Sequence, residues 1–158
     1  MKGNPGVIEA LLKALAGEFA AGPQYQAHQG AFDFAGFLGI SAAIDDRGED
    51  ERRHASMLIA RLIELESLPA ATVGQIDLAP GDLAAAIGFD GSAEDRAIED
   101  YAALAKAAAD AGDGTTNLLA LTIGKEEAEH RREISGWQQQ IALTGLDNFL
   151  SAHVAKGA

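Results

Sequence analysis

Glu51-Arg52-Arg53-His54 and Glu127-Ala128-Glu129-His130 share one pattern, a glutamate three residues before a histidine, and together they take two of the four histidines in the chain. On an α-helix three residues turn the chain by about 300°, so the two side chains stand roughly 60° apart on one face and both can reach a common point. One such pair alone is usually an ordinary solvated helix face. Here each pair also has a lone glutamate the same distance upstream: the interval is 33 residues from Glu18 to Glu51 and again from Glu94 to Glu127. The chain therefore carries the pattern Glu, then Glu-x-x-His, twice.

Around these residues the apolar positions recur at helical spacing and there is almost no strand signal. Asn4-Pro5 reads as an N-cap followed by a proline at the first helical position. Ile8, Leu11, Leu12, Leu15 and Phe19 then form a stripe on a helix expected to reach Phe34, and Ala35-Gly36 makes a short turn. A second helix is expected from Phe37 to Leu65, with Met57, Leu58, Leu62 and Leu65 on its apolar side. Residues 66–80, with Pro69, Gly74 and Pro80, read as a loop. Asp82 is the expected cap of a third helix ending near Ala111 with Gly112 beyond it, and Thr115 or Thr116 the expected cap of a fourth ending at Gly145. Leu146 to Val154 reads as a short fifth helix.

Loop length selects the topology. Fifteen extended residues span roughly 50 Å, and a 29-residue helix is about 43 Å long. The loop at 66–80 can cross the whole bundle, whereas the other connections are short. The expected fold is all-α: a single domain, 1–158, holding a ferritin-like four-helix bundle over 5–144, with one long crossover and a tail helix over 146–154. Gly22-Pro23, Gly48, Gly88, Gly91, Gly124 and Gly136 fall inside these helices. Each glycine costs roughly 1 kcal/mol against alanine and an interior proline about 3. The sequence leaves close packing, a kink and a boundary error all open as explanations.

One lone Glu from each of two helices, with one Glu-x-x-His from each of the other two, is the ligand set of di-iron carboxylate bundles. Four carboxylates repel one another in a low-dielectric core, and two divalent cations neutralise them. Asp50 and Glu126, each immediately before a motif glutamate, are placed to accept the free imidazole N–H of a ligating histidine. Tyr25 and Tyr101, the only tyrosines, each follow a lone glutamate by seven residues, almost two full turns on the same face. Each could hydrogen-bond a ligand carboxylate or supply an electron; the plainer reading is core packing. His28 reads as a surface or core histidine, Trp137 as core, and Arg52-Arg53 as a solvated or interfacial helix face.

Composition agrees. There are 24 acidic and 12 basic residues, a net charge of −12 and a sequence pI of about 4.6, which disfavour nucleic acid or an anionic membrane as partner and suit a protein that attracts cations. The absence of cysteine excludes disulfide scaffolds, iron–sulfur clusters and thiol catalysis. No apolar run approaches the roughly 18 residues of a membrane span, and Glu9, Lys13 and Glu18 interrupt any signal-peptide core. The expected location is the cytoplasm.

The sequence resembles bacterioferritin over nearly its whole length. The resemblance rests on Met1-Lys2-Gly3-Asn4-Pro5, Glu18, Gln24-Tyr25, Glu51 to His54, Glu94, Glu127 to His130 and Gly145-Leu146-Asp147-Asn148-Phe149-Leu150. It implies a ferroxidase that oxidises Fe(II) with oxygen or hydrogen peroxide, with two iron ions per chain held by Glu18, Glu51, His54, Glu94, Glu127 and His130. Glu51 and Glu127 would bridge the irons, Glu18 and Glu94 would cap them, and Tyr25 would assist. It also implies a shell of 24 subunits storing the ferric mineral, with the fifth helix at the fourfold axes; His153 in that tail reads as a solvated histidine, or as a pore-lining one if a shell forms.

One departure matters. The family carries a haem-binding methionine directly after the second ligand glutamate, and here that position is Arg52, with Met57 five residues further on and facing elsewhere. Haem is therefore not expected on this chain. Two alternatives remain: a di-iron oxidase or peroxide scavenger that forms no shell, and a structural subunit of a mixed shell with a haem-bearing partner. Rubrerythrin-like proteins fit less well, since there is no cysteine, and miniferritins would not need all six ligands in one chain.

Overall fold

The computed structural model describes residues 2–155; Met1 of the opening motif and the last three residues of the expected domain lie outside them. Asn4 is extended and its side-chain oxygen accepts the Gly6 N–H at 2.9 Å, so the chain enters α1 (Pro5–Phe34) as the sequence predicts. α2 (Leu38–Glu64) follows the turn at Gly36. The crossover then runs to α3 (Leu83–Asp110), where the Asp82 carboxylate accepts the Ala85 N–H at 2.9 Å. Gly112, left-handed at φ 71°, turns the chain into α4 (Gly114–Thr144). Two boundaries differ from expectation by more than one residue. Asp113 caps α4 in place of Thr115 or Thr116: its carboxylate accepts the Thr116 N–H at 3.0 Å and the Thr116 hydroxyl at 2.6 Å, while Arg61 holds it at 2.9 Å. The tail helix α5 (Leu146–Ser151) stops three residues short of Val154.

α1 packs along α2, α3 along α4, and α1 against α3. α2 and α4 approach less closely, and ion pairs bridge their gap: Arg61 to Asp113, Arg53 to Glu126 at 2.6 Å, and Arg47 to Glu133. These cross-links run α2 and α4 antiparallel, and the short turns at Gly36 and Gly112 do the same for α1–α2 and α3–α4, so α2 and α3 are diagonal and parallel, which only a bundle-length connection allows. The crossover is pinned on the way. The Gly74 N–H donates to the Ala16 carbonyl at 2.8 Å, the Asp77 N–H donates to the Gln24 side-chain oxygen at 2.9 Å, and Arg96 pairs with Asp77 at 3.2 Å.

Two apolar cores fill the bundle. Val7, Leu11, Leu15, Leu58, Leu62, Leu104 and Ile123 form one. Phe32, Ile40, Ile44, Ile87, Ile134 and Trp137 form the other, and α5 adds Phe149 and Leu150 to it. Each fully buried aliphatic or aromatic side chain stabilises the fold by about 1.5–3 kcal/mol. The helices run unbroken through every glycine that conflicted with the pattern. Close packing accounts for two. A Cβ at Gly124 would stand 3.2 Å from the Cβ of Tyr101 and one at Gly91 3.2 Å from Ile134, whereas one at Gly48 would make an ordinary contact of 3.6 Å with the Cβ of Tyr25. Around Gly22, Gly88 and Gly136 there is open space, and nothing within the chain explains them.

Candidate metal centre

Between the two apolar cores lies a layer of buried charge. Glu18, Glu51, His54, Glu94, Glu127 and His130 are each no more than 5% exposed. Their donor atoms converge as two overlapping quartets: Glu18, Glu51, His54 and Glu127 in one, Glu51, Glu94, Glu127 and His130 in the other, with all donor atoms of a quartet within 4.8 Å of one another. Glu51 and Glu127 belong to both. The His54 Nδ1 lies 2.8 Å from Glu127 and 3.5 Å from Glu51, and the His130 Nδ1 lies 3.3 Å from Glu127 and 3.7 Å from Glu94. The two rings are 6.2 Å apart and nearly parallel.

The donor set fits divalent metal on evidence internal to the chain. The Nδ1 atoms of both histidines, both carboxylate oxygens of Glu127 and one of Glu94 are buried without a hydrogen-bond partner, and all belong to these quartets. Buried polar atoms in folded proteins are almost always partnered, so a concentration of orphans marks a place for an ion. Imidazole with carboxylate is a donor set for first-row divalent metals.

Electrostatics agree. Burial pushes Glu18 well above the usual carboxylate range, with the charge of Glu51 adding to it, and burial with the charge of Glu127 does the same to Glu51. Burial also raises Glu94 to about 7. Glu127 goes the other way: the close approach of His130 and His54, at 3.3 and 2.8 Å, overcomes its burial and lowers it to about 2. The same contacts with Glu127 overcome the burial of His54 and His130 and raise both to about 9. Protons thus occupy the place of two dications, the expected linkage at a metal site.

The supporting residues act crosswise between the hairpins. The outer nitrogen of His54 meets Glu126 at 2.8 Å, and that of His130 meets Asp50 at 3.2 Å, so each acid orients the histidine of the other motif. Arg53, expected on a solvated or interfacial face, reaches both acids, Asp50 at 2.8 Å and Glu126 at 2.6 Å. Its hydrogen bonds outweigh the burial of these acids and hold both below their ordinary range. The tyrosines cross as well: Tyr25 donates to Glu94 and Tyr101 to Glu18. A single offset of 76 residues carries Glu18, Tyr25, Gly48, Glu51 and His54 onto Glu94, Tyr101, Gly124, Glu127 and His130, so the two hairpins form a pseudo-twofold site.

Sequence reading missed one buried cluster. Asp90 accepts from Gln24 at 2.9 Å and lies 2.7 Å from the His28 Nδ1, and the same Gln24 holds the crossover at Asp77. His28 is thus a core residue. Its signal was a glutamine and a histidine four apart on one face, which looks ordinary until the loop and α3 arrive. Arg52 lies on the surface, half exposed and paired with Glu49, and Met57 packs at the edge of the Leu58 and Leu62 core.

The model of the ferritin-like domain family matches residues 8–144. The chain belongs to that family. Over its full length it is similar to a bacterial ferritin of Pseudomonas aeruginosa, 28% identical across 98% of this chain and the whole of the relative. A bacterial ferritin of Synechocystis is 42% identical over 69 residues, which is 44% of each chain, and one of Neisseria meningitidis is 23% identical over 155. The similarity is therefore of bacterioferritin type. Among the described residues no helix is long and apolar enough to cross a membrane.

Proposed function

We propose that this chain is a cytoplasmic ferroxidase subunit of an iron-storage protein, with residues 1–158 forming one ferritin-like domain. The two quartets that share Glu51 and Glu127 carry the reading. Glu18 with His54 would hold one Fe(II) and Glu94 with His130 the other, while Glu51 and Glu127 lie between both positions. Bound iron supplies the electrons that reduce oxygen or peroxide. The chain's part is to hold two substrate ions side by side and neutralise them with four carboxylates. Glu126 and Asp50 keep the outer nitrogens of the histidines engaged, leaving each Nδ1 for metal. Tyr25 and Tyr101 fix one oxygen of Glu94 and Glu18 and leave the other for metal. In this reading Tyr25 would also supply an electron.

The bacterial ferritin relatives support storage in an oligomeric shell, of 24 subunits in this reading. Exposed Phe34, Leu68, Leu118 and Leu143 are apolar surface that neighbouring subunits would cover. Arg52 has no lone pair for haem iron, so haem, if electron release needs it, comes from a methionine-bearing partner in a mixed shell. Stopped-flow Fe(II) oxidation tests the catalytic part. Glu18→Ala and Glu127→Ala should each lose rapid oxidation while keeping helical circular dichroism; variants that oxidise iron at the parent rate would refute it.

A further inference from the structure

A cavity of about 220 Å³ opens between α1 and α3 and ends on the metal-site carboxylates. Its walls are largely apolar and its lining includes Glu94 and Glu127, of which one oxygen of Glu94 and both of Glu127 are buried without a hydrogen-bond partner. Part of the wall is made of small side chains placed by the pseudo-twofold: Gly17 and Ala21 flank Glu18 on α1, and Ala93 and Ala97 flank Glu94 on α3 at the same offset of 76. The crossover roofs it. Gly74 sits so close to α1 that a Cβ there would stand 2.8 Å from the Ala16 carbonyl. At the mouth Lys13 is paired with Asp100 and Arg96 with Asp77, which leaves no free acidic group among these four to draw a cation in.

We propose that this cavity is the entry and waiting site of dioxygen, separate from the route taken by the metal. The proposal rests on the ferroxidase reading. A hydrated dication gives up water at high cost between alanine and glycine walls, whereas a small apolar molecule enters such a space favourably. The opposite face of the centre, between α2 and α4, is an open polar cleft bordered by Asp50, Glu126 and His130, with Arg47 and Arg53 among them; its oxygens can replace water that a cation sheds, which the apolar walls of the cavity cannot.

Gly17→Leu and Ala97→Leu are the blocking variants. A Cβ at Gly17 meets nothing within 4 Å, so the backbone accepts a side chain there, and leucine extends it into the cavity that Gly17 lines. Crystals of metal-free parent protein under xenon pressure should show xenon in the cavity, and crystals of the variants should not. Anaerobic Co(II) titration should be unchanged in the variants, while the oxygen-dependent rate of Fe(II) oxidation falls by about tenfold or more. An empty cavity under xenon, an unchanged oxygen-dependent rate, or Co(II) binding slowed in step with oxidation would each overturn the proposal. Failure of the ferroxidase reading would look different, because the parent itself would bind Co(II) and leave Fe(II) unoxidised.

Discussion

His54, His130, Glu94, Glu51 and Glu18 all hold protons more tightly in the metal-free fold than in the unfolded chain. Each contribution to stability is fully present below the group's unfolded pKa and is lost as pH rises through its folded value. For Glu94 the window runs from 4.5 to about 7, and for the histidines from 6.5 to about 9. Glu127, lowered to about 2, is uniformly ionised over that range and adds no slope. The Tm of metal-free protein should therefore fall steadily between pH 6.5 and 9, and saturating Co(II) should abolish the fall. A flat or rising metal-free profile would show that the buried layer is not protonated. Spacing also showed its limit at this scale. Seven residues return Tyr25 to the face of Glu18, but about 10.5 Å further along the axis, too far for a hydrogen bond. The partner is Glu94 on the antiparallel neighbour, which spacing within one helix cannot reveal.

At the scale of the element, helix identity followed from the apolar stripes and from Asn4 and Asp82, whose side chains cap as expected. The start of α4 was harder, since Asp113 and Thr116 compete for one role and Arg61, remote in sequence, favours the aspartate. The glycines separate by surroundings. Gly136→Ala meets no neighbour within 4 Å and should raise stability by up to about 1 kcal/mol from helix propensity. Gly124→Ala places its methyl 3.2 Å from the Tyr101 Cβ, which cannot retreat without moving α3. It should lower stability by about 1–3 kcal/mol despite the same propensity gain. Thermal unfolding of the two variants side by side checks this, and a Gly124→Ala protein as stable as Gly136→Ala would contradict the packing account.

For the whole molecule, two hairpins related by one offset and joined by a bundle-length crossover were legible from the doubled motif and the loop length. The crossover's own path was not, because Gly74 and Gln24 act through contacts that exist only once the bundle is built. Nor was the Gln24, His28 and Asp90 cluster. Light scattering should find a large closed oligomer; a stable dimer across protein and salt concentrations would remove the shell while leaving the metal centre, whose six residues lie in one chain. Haem added to the homomeric protein should give no sharp low-spin band. A stoichiometric band at one haem per two chains would overturn the reading of Arg52.

The central claim is that two overlapping quartets hold two metal ions. Anomalous diffraction from crystals soaked anaerobically in Co(II) tests it most directly. The account predicts two peaks per chain, one beside His54 and Glu18, the other beside His130 and Glu94, with Glu51 and Glu127 between them. A single peak, or metal bound elsewhere with the six side chains unmoved and unliganded, would contradict it.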